Sequence, residues 1–513
     1  MVILYFLLQV FISFVIENWL TFGLLTIFLI FYINHITKIN HFKNRDIKYI
    51  EPNILVGNLW PRLSCKKSYF ETQLDIYNHF KGERYAGYFE GSKLVLYILD
   101  PDLLKAVMIK DFDYFVNRVA MPSNKRKQYL NRMILDLKND EWKSVRTLVT
   151  PTFSSFRLKN MYPLMQNSSR KLLGYLEKID CSEVEIKEVM GYYTLDVIGA
   201  CAFGIDSCFN EETNTDFIKA AKNFNKKSSI SNALVKIALL LPPALLQHLN
   251  ISVFNSDALE VLLGILKQAK ADRRSSKIER SDFLQLLIHA AEKEQEEKKG
   301  SIDLDDETID AQALIFLLAG YETSSTLLSF AIHTLAVQPE IQQRLREHVR
   351  DVTGGEDVTY DHLGELDYLE GVLLETSRLY PPFPRIERVC VKPYTLPGTN
   401  VRIEVDEILA IPVVAVNTDP NLYPEPDKFI PERFTRETRM KRPSHHYLTF
   451  GAGPRNCIGY RFAMLSMKLA MCVLLRNYKF SLCSRTDNPL EIDKAVSYLK
   501  VKNGIWVRLD KIN

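Results

Sequence analysis

Between Phe450 and Gly459 the chain reads FGAGPRNCIG, a loop that sets one cysteine, Cys457, among glycines and just ahead of a helical apolar run from Ile458 to Leu475. Gly451 and Gly453 let the backbone turn tightly and approach a flat partner, because no side chain stands in the way. Arg455 adds a fixed positive charge two residues before the sulfur. A cysteine near a helix N-terminus feels the dipole and free N–H groups there, which stabilise S⁻. The loop therefore suits a thiolate metal ligand. Free cysteines are more often small buried hydrophobes, yet Phe, three Gly, Arg and Cys at these offsets arise by chance with a probability on the order of 10⁻⁵ from average residue usage.

The remaining seven of the eight cysteines are scattered without CxxC or Cys/His pairs, which argues against a zinc site or a dense disulfide framework. A net charge of +3 over 513 residues lacks the concentrated basic surface of a nucleic-acid binder. From Val2 to Ile33 nearly every residue is apolar, broken by Glu17 and Asn18, and Lys38, Lys43, Arg45 and Lys48 come after it. A bilayer span takes about 20 such residues. Residues 1–33 thus read as a transmembrane anchor, with the basic flank placing the rest of the chain in the cytosol. A cleaved signal peptide is the competing reading, against which stand the missing positive n-region and small-residue cleavage site. Residues 34–58 read as a basic linker with Pro52 and Gly57, and 59–513 as the catalytic domain.

Alternating apolar residues over Tyr85–Leu99 predict a small sheet. Apolar spacing of i, i+3, i+4 predicts helices near 103–111, 140–150, 157–178, 185–203, 214–227, 255–271, 281–294, 305–337, 339–351 and 365–379. The charged run Glu292–Asp306 reads as an exposed loop. Strands return at Val401–Ile403, Ile408–Ile411 and Ile505–Leu509. The fold class is mainly α: one large helical domain with a minor β lobe and the N-terminal anchor. Pro242 and Pro243 lie in an apolar patch, Ile237–Leu246, read either as a buried loop or as a surface beside the bilayer.

Three further patterns carry chemistry. The segment LLAGYETSS puts Ala319, Gly320, Glu322 and Thr323 inside the helix from about 305. Gly and Thr there cost up to about 1 kcal/mol relative to Ala, and Thr323 can bond back to a carbonyl one turn earlier or hold a water. Glu375 and Arg378, three apart, share a helix face, and PERF supplies Arg433. Trp142 and Arg146, one turn apart, offer an indole N–H and a guanidinium to one side.

Taken with the cysteine loop, these passages and ERVCVKP and NTDPNLYPEPDKFIPERF resemble the microsomal cytochrome P450 family, in particular its vertebrate family-three and insect family-six branches, which oxidise drugs, steroids, plant toxins and insecticides. The resemblance implies the cytochrome P450 fold, with haem b held by Cys457 as the axial thiolate ligand, and Phe450 and Gly451 in the haem loop. It makes Ala319, Gly320, Glu322 and Thr323 the oxygen groove, with the acid and the threonine delivering protons for O–O cleavage. Glu375, Arg378 and Arg433 become a buried ion triad, and Arg455, Arg146, Trp142, Arg388 and Arg118 the donors to the haem propionates. By position, Val119–Leu130, Ile315, Phe316, Ala319, Phe383, Pro384, Ile386 and the turn near Val496 wall an apolar pocket for a lipophilic substrate. Arg385 is the exception there, aimed at the pocket or at backbone carbonyls.

No segment resembles a flavin or nicotinamide fold, so electrons come from outside. The implied donors are NADPH–cytochrome P450 reductase and cytochrome b5, docking on Lys138, Lys143, Arg436, Arg439, Lys441 and Arg442, at the cytosolic face of the endoplasmic reticulum membrane. The leading expectation is a monooxygenase using O2. A haem-thiolate isomerase acting on peroxides and a haem-based ligand-binding protein are the alternatives, and the AGxxT segment weighs against both.

Overall fold

The computed structural model describes residues 19–91, 93–119, 128–205, 209, 215–226, 240, 254–275, 282–297 and 305–512. Residues 1–18, most of the Pro242 patch, the pocket segment 120–127 and the 298–304 part of the charged run lie outside them. At the N-terminal end, helix α1 (Trp19–Lys43) leaves Leu25, Leu29, Tyr32, Ile33 and Ile36 exposed, while Phe42 is buried against Phe89, with ring centroids 5.2 Å apart.

The longer helices surround one core: α2 (Tyr69–His79), α3 (Asn139–Val149), α4 (Ser155–Leu176), α5 (Ile186–Ile198), α6 (Thr215–Asn223), α7 (Ser256–Ser275), α8 (Phe283–Glu297), α9 (Asp306–Val337), α10 (Pro339–Thr353) and α11 (Asp367–Leu379). After them, α12 (Tyr460–Asn477) succeeds the cysteine loop. Helix α9 is the axis of the molecule. Asp305 caps it, its carboxylate accepting the Thr308 N–H at 2.9 Å, and apolar residues on every face bury it almost throughout, as an all-round apolar helix demands. It has the length and composition of a membrane span, but it is a core helix, 72% of its apolar window lying inside the protein.

The small β lobe is built from β1 (Tyr85–Glu90), β2 (Lys93–Ile98), β3 (Ile386–Val389) and β4 (Ile408–Ile411), ordered β1-β2-β4-β3. The β1–β2 hairpin is antiparallel, β2 runs parallel to β4 with Val95 opposite Ile408, and β4 is antiparallel to β3 with Leu409 opposite Arg388. Strands β5 (Tyr478–Ser481) and β6 (Trp506–Lys511) form a second antiparallel pair.

Candidate active site

The cysteine loop is pressed into the body of the protein by its glycines. Gly453 has φ +72°, and a Cβ there would lie 1.9 Å from the Met108 carbonyl oxygen, so no other residue allows this approach. The Cys457 N–H donates to the Phe450 carbonyl at 2.8 Å, closing the loop. The nearby N–H groups of Gly459 and Tyr460, at the start of α12, favour the ionised form of its sulfur. Cys457 is surrounded by protein, yet its side chain presents uncovered surface. Burial pushes the thiol above its ordinary value, outweighing those N–H groups and the charges of Arg146 and Arg118. A coordinated metal reverses that balance, because it deprotonates a thiol outright.

The Ala319 stretch lies nearby through an aromatic bridge. Phe153 comes within 3.9 Å of where a Cβ on Gly459 would be, and its ring meets Phe316 edge-on at 5.3 Å, one turn before Ala319. Ala319 is exposed in mid-helix although residues 308–318 are all buried. Gly320 turns to α5, where a Cβ would meet Ile198 at 3.0 Å, so its smallness serves the helix crossing. Thr323 takes the back-bonded option, its hydroxyl donating to the Ala319 carbonyl at 2.6 Å. The Glu322 carboxylate lies 3.2 Å from Lys187 Nζ, which also donates to the Glu322 carbonyl at 3.1 Å and the Ser325 hydroxyl at 2.6 Å. Lys187, on α5, is invisible to motif reading; an isolated lysine in an apolar helix is its one signal.

Glu375, Arg378 and Arg433 come together. Arg378 forks onto Glu375 at 2.7 and 2.8 Å, both fully buried, and Arg433 Nε lies 3.3 Å from the same carboxylate. Carbonyls of Asn417 and Pro426 take the other Arg378 donors at 2.9 and 2.8 Å.

The remaining arginines divide. An antiparallel bridge between Asn117 and Val389 sets Arg118 beside Arg388. Arg388, fully buried, donates to the Glu387 carbonyl at 2.9 Å, but its Nε and Nη2 have no acceptor, nor does Arg118 Nε. Burial holds Arg388 well below the ordinary guanidinium range, and Arg118 and Arg455 push it further. Arg455 is instead committed to the backbone, donating to the carbonyls of Val116, Ile134, Leu135 and Leu137 beneath the Trp142 ring, 4.8 Å from its centroid. Arg146 donates to the carbonyl and side chain of Asn456 at 3.2 and 2.9 Å. Trp142 and Arg146 thus brace the loop. The segment 132–137 that receives Arg455 is itself tied to α9: Arg132 pairs with Asp305, and Gln312 accepts the Ile134 N–H at 2.9 Å and donates to the Arg132 carbonyl at 2.6 Å.

Each unmatched buried N–H costs about 1–3 kcal/mol, and three clustered guanidinium groups call for an anion. Among the described residues no group of three or more His, Cys, Asp or Glu side chains could hold a bare metal ion, so one sulfur suits a metal that brings its other donors with it. An iron porphyrin with two carboxylates matches both demands. The cytochrome P450 family model matches residues 52–507.

The chain belongs to the cytochrome P450 family. It is 33% identical to cytochrome P450 9e2 of Blattella germanica over 96% of this chain and 98% of that protein. It is 34% identical to probable cytochrome P450 6a14 of Drosophila melanogaster over 93% and 96%, and 35% identical to cytochrome P450 3A6 of Oryctolagus cuniculus over 88% and 89%. It is a monooxygenase whose cofactor is haem b with thiolate-coordinated iron, and as a P450 it works with O2, a small-molecule substrate and a redox partner.

Two expectations need correction. Arg385 points neither into the pocket nor at carbonyls: buried, it is clamped by Glu90, at 2.5 Å, and Glu387 and donates to the Tyr97 hydroxyl at 2.8 Å, because two carboxylates satisfy a desolvated guanidinium better than an apolar wall. Two of the surface cations are also turned inward. Arg439 pairs with Asp367 and Glu370, and Arg442 stacks on Tyr423 at 4.4 Å. Lys138, Arg436 and Lys441 remain exposed, and Lys143 pairs with Asp113 at 2.9 Å. Lys143, Lys110 and Arg146 border a hollow of about 420 Å³ floored by Trp142 and Pro454.

Proposed function

We propose that this P450 is a membrane-anchored monooxygenase of lipophilic xenobiotics or steroids, with Cys457 as the axial iron ligand. The observation that carries the reading is the uncovered Cys457 sulfur beside buried guanidinium donors that lack an acceptor. Arg388 and Arg118 hold the propionates, while Arg455, Trp142 and Arg146 keep the loop with Phe450 and Gly451 in register. When bound, the haem supplies activation of O2, with sulfur pushing electron density toward iron. Thr323 and Glu322 would hold and pass protons on the α9 side, where the exposed Ala319 would leave room for a bound group, and Gly320 lets α5 approach. Glu375, Arg378 and Arg433 secure the segment before the loop. Ile315, Phe316, Phe383, Pro384 and Ile386 supply the apolar walls that favour a lipophilic substrate.

NADPH–cytochrome P450 reductase, with cytochrome b5 as a second donor, approaches the face of Lys138, Lys143, Arg436 and Lys441. Residues 1–33 anchor the chain in the endoplasmic reticulum membrane, 34–58 link, and 59–513 catalyse on the cytosolic side. The exposed apolar side chains of α1 and its basic end support this. Full-length wild type and Cys457→Ser are compared by the absorption of the reduced carbon monoxide complex and by NADPH-driven oxidation of an apolar probe with added reductase. The wild type shows the red-shifted band of a thiolate-ligated haem and turns over; Cys457→Ser loses both. Retention of band and turnover by the serine variant overturns the reading.

A further inference from the structure

Arg385 stands between two residues of the apolar wall, Pro384 and Ile386, while its own side chain has no part in the roles assigned above. Side chains alternate along extended chain. Ile386 turns toward the cysteine loop, its Cδ1 3.9 Å from where a Cβ on Gly451 would lie, and Arg385 turns to the opposite face. On that face Glu387, Ala410 and Tyr97 stand side by side across β3, β4 and β2. The Arg385 guanidinium forks onto Glu90 at 2.5 and 3.1 Å, meets Glu387 and donates to the Tyr97 hydroxyl at 2.8 Å. That hydroxyl donates in turn to Gln73, on α2, at 3.0 Å. In the order β1-β2-β4-β3, Glu90 ends one edge strand and Arg385 leads into the other. The pair is a strap across the sheet, shut away from solvent beneath α2 with 4% of the arginine side chain exposed. The turn near Val496 is fastened to the same place. Arg62 lies 4.1 Å from the Tyr69 ring centroid and donates to the Ser497 hydroxyl, and Arg385 lies 5.4 Å from that ring. The Leu499 N–H donates to the Pro382 carbonyl at 2.9 Å, joining the two walls directly.

We propose that Arg385 is a specificity-determining positioning residue: strapped to Glu90, it fixes the Phe383–Ile386 wall over the cysteine loop and so selects which carbon of a lipophilic substrate is oxidised. The inference rests on the functional reading above and deepens it. A wall segment whose neighbouring side chain is forked onto a carboxylate has one position, because the bidentate pair holds both distance and angle. Loosening the fork lets Ile386 shift against Gly451, and an apolar substrate, with no polar group to register it, follows the wall.

The test compares full-length, haem-loaded wild type, Arg385→Met and Glu90→Gln on an apolar probe with two oxidisable carbons, alongside amide hydrogen exchange and thermal midpoints. Arg385→Met should shift the ratio of the two products about tenfold, the low end of what a methylene-sized change in an apolar pocket is worth. Glu90→Gln keeps its shape, loses only the charge and stands outside the wall, so it should shift the ratio in the same direction by less. Amides of 383–389 should exchange faster in both. An unchanged ratio in Glu90→Gln overturns the proposal whatever Arg385→Met shows, and so does a lowered midpoint with the ratio and the exchange unchanged. If the wild type forms neither product with NADPH and reductase, the functional reading itself fails, and the exchange rates alone then judge the strap.

Discussion

Arg378 and Arg388 are both buried to nothing, ten residues apart, and their surroundings are opposite. Around Arg378 every side is closed: a forked carboxylate, backbone carbonyls and a tyrosine ring 5.0 Å away. Around Arg388 stand other cations, and two of its nitrogens have nothing to bond. A satisfied buried charge is structure. An unsatisfied one is a socket, tolerated because a ligand completes it.

The contrast is open to attack, starting where the effect is largest. Glu375→Gln strands two guanidinium groups, and should cost about 3–5 kcal/mol in the presence or absence of haem, read by urea unfolding. Arg388→Met should split the two states. Removing an unpaired charge stabilises the haem-free chain by about 1–4 kcal/mol, while haem binding loses about 1.5–3 kcal/mol of charge-assisted hydrogen bonding. If both quantities move the same way, the socket reading is wrong. Trp142→Phe keeps a ring over Arg455 but weakens its pull on the cation, with an expected cost of about 1 kcal/mol that a matched pair of unfolding curves would resolve.

Much of the architecture is legible in the sequence, and the reasons differ by element. The run 305–337 anticipates α9 within a residue because apolar positions on all faces, an Asp cap and a proline just past its end state one helix. Helix α2 escapes periodicity although Ser68 and Glu71 form a capping box, each side chain meeting the other's backbone N–H; Thr72 and Gln73 are buried on its inner face, which blurs the apolar stripe. Strand β5 is masked by the helical pattern running into it. At the site, spacing of three on one helix announces the Glu375–Arg378 pair. The destination of Arg455 has no such herald, since its carbonyl acceptors lie more than 300 residues away and no side-chain pattern marks a carbonyl. Lys187 is hidden likewise, its partners being supplied by packing.

The stretch from Arg132 to Leu137 is fastened at one end to the beginning of α9 and at the other to the guanidinium two residues before the sulfur. Six residues of chain reach at most about 20 Å. That tether caps how far the head of the central helix and the loop can part.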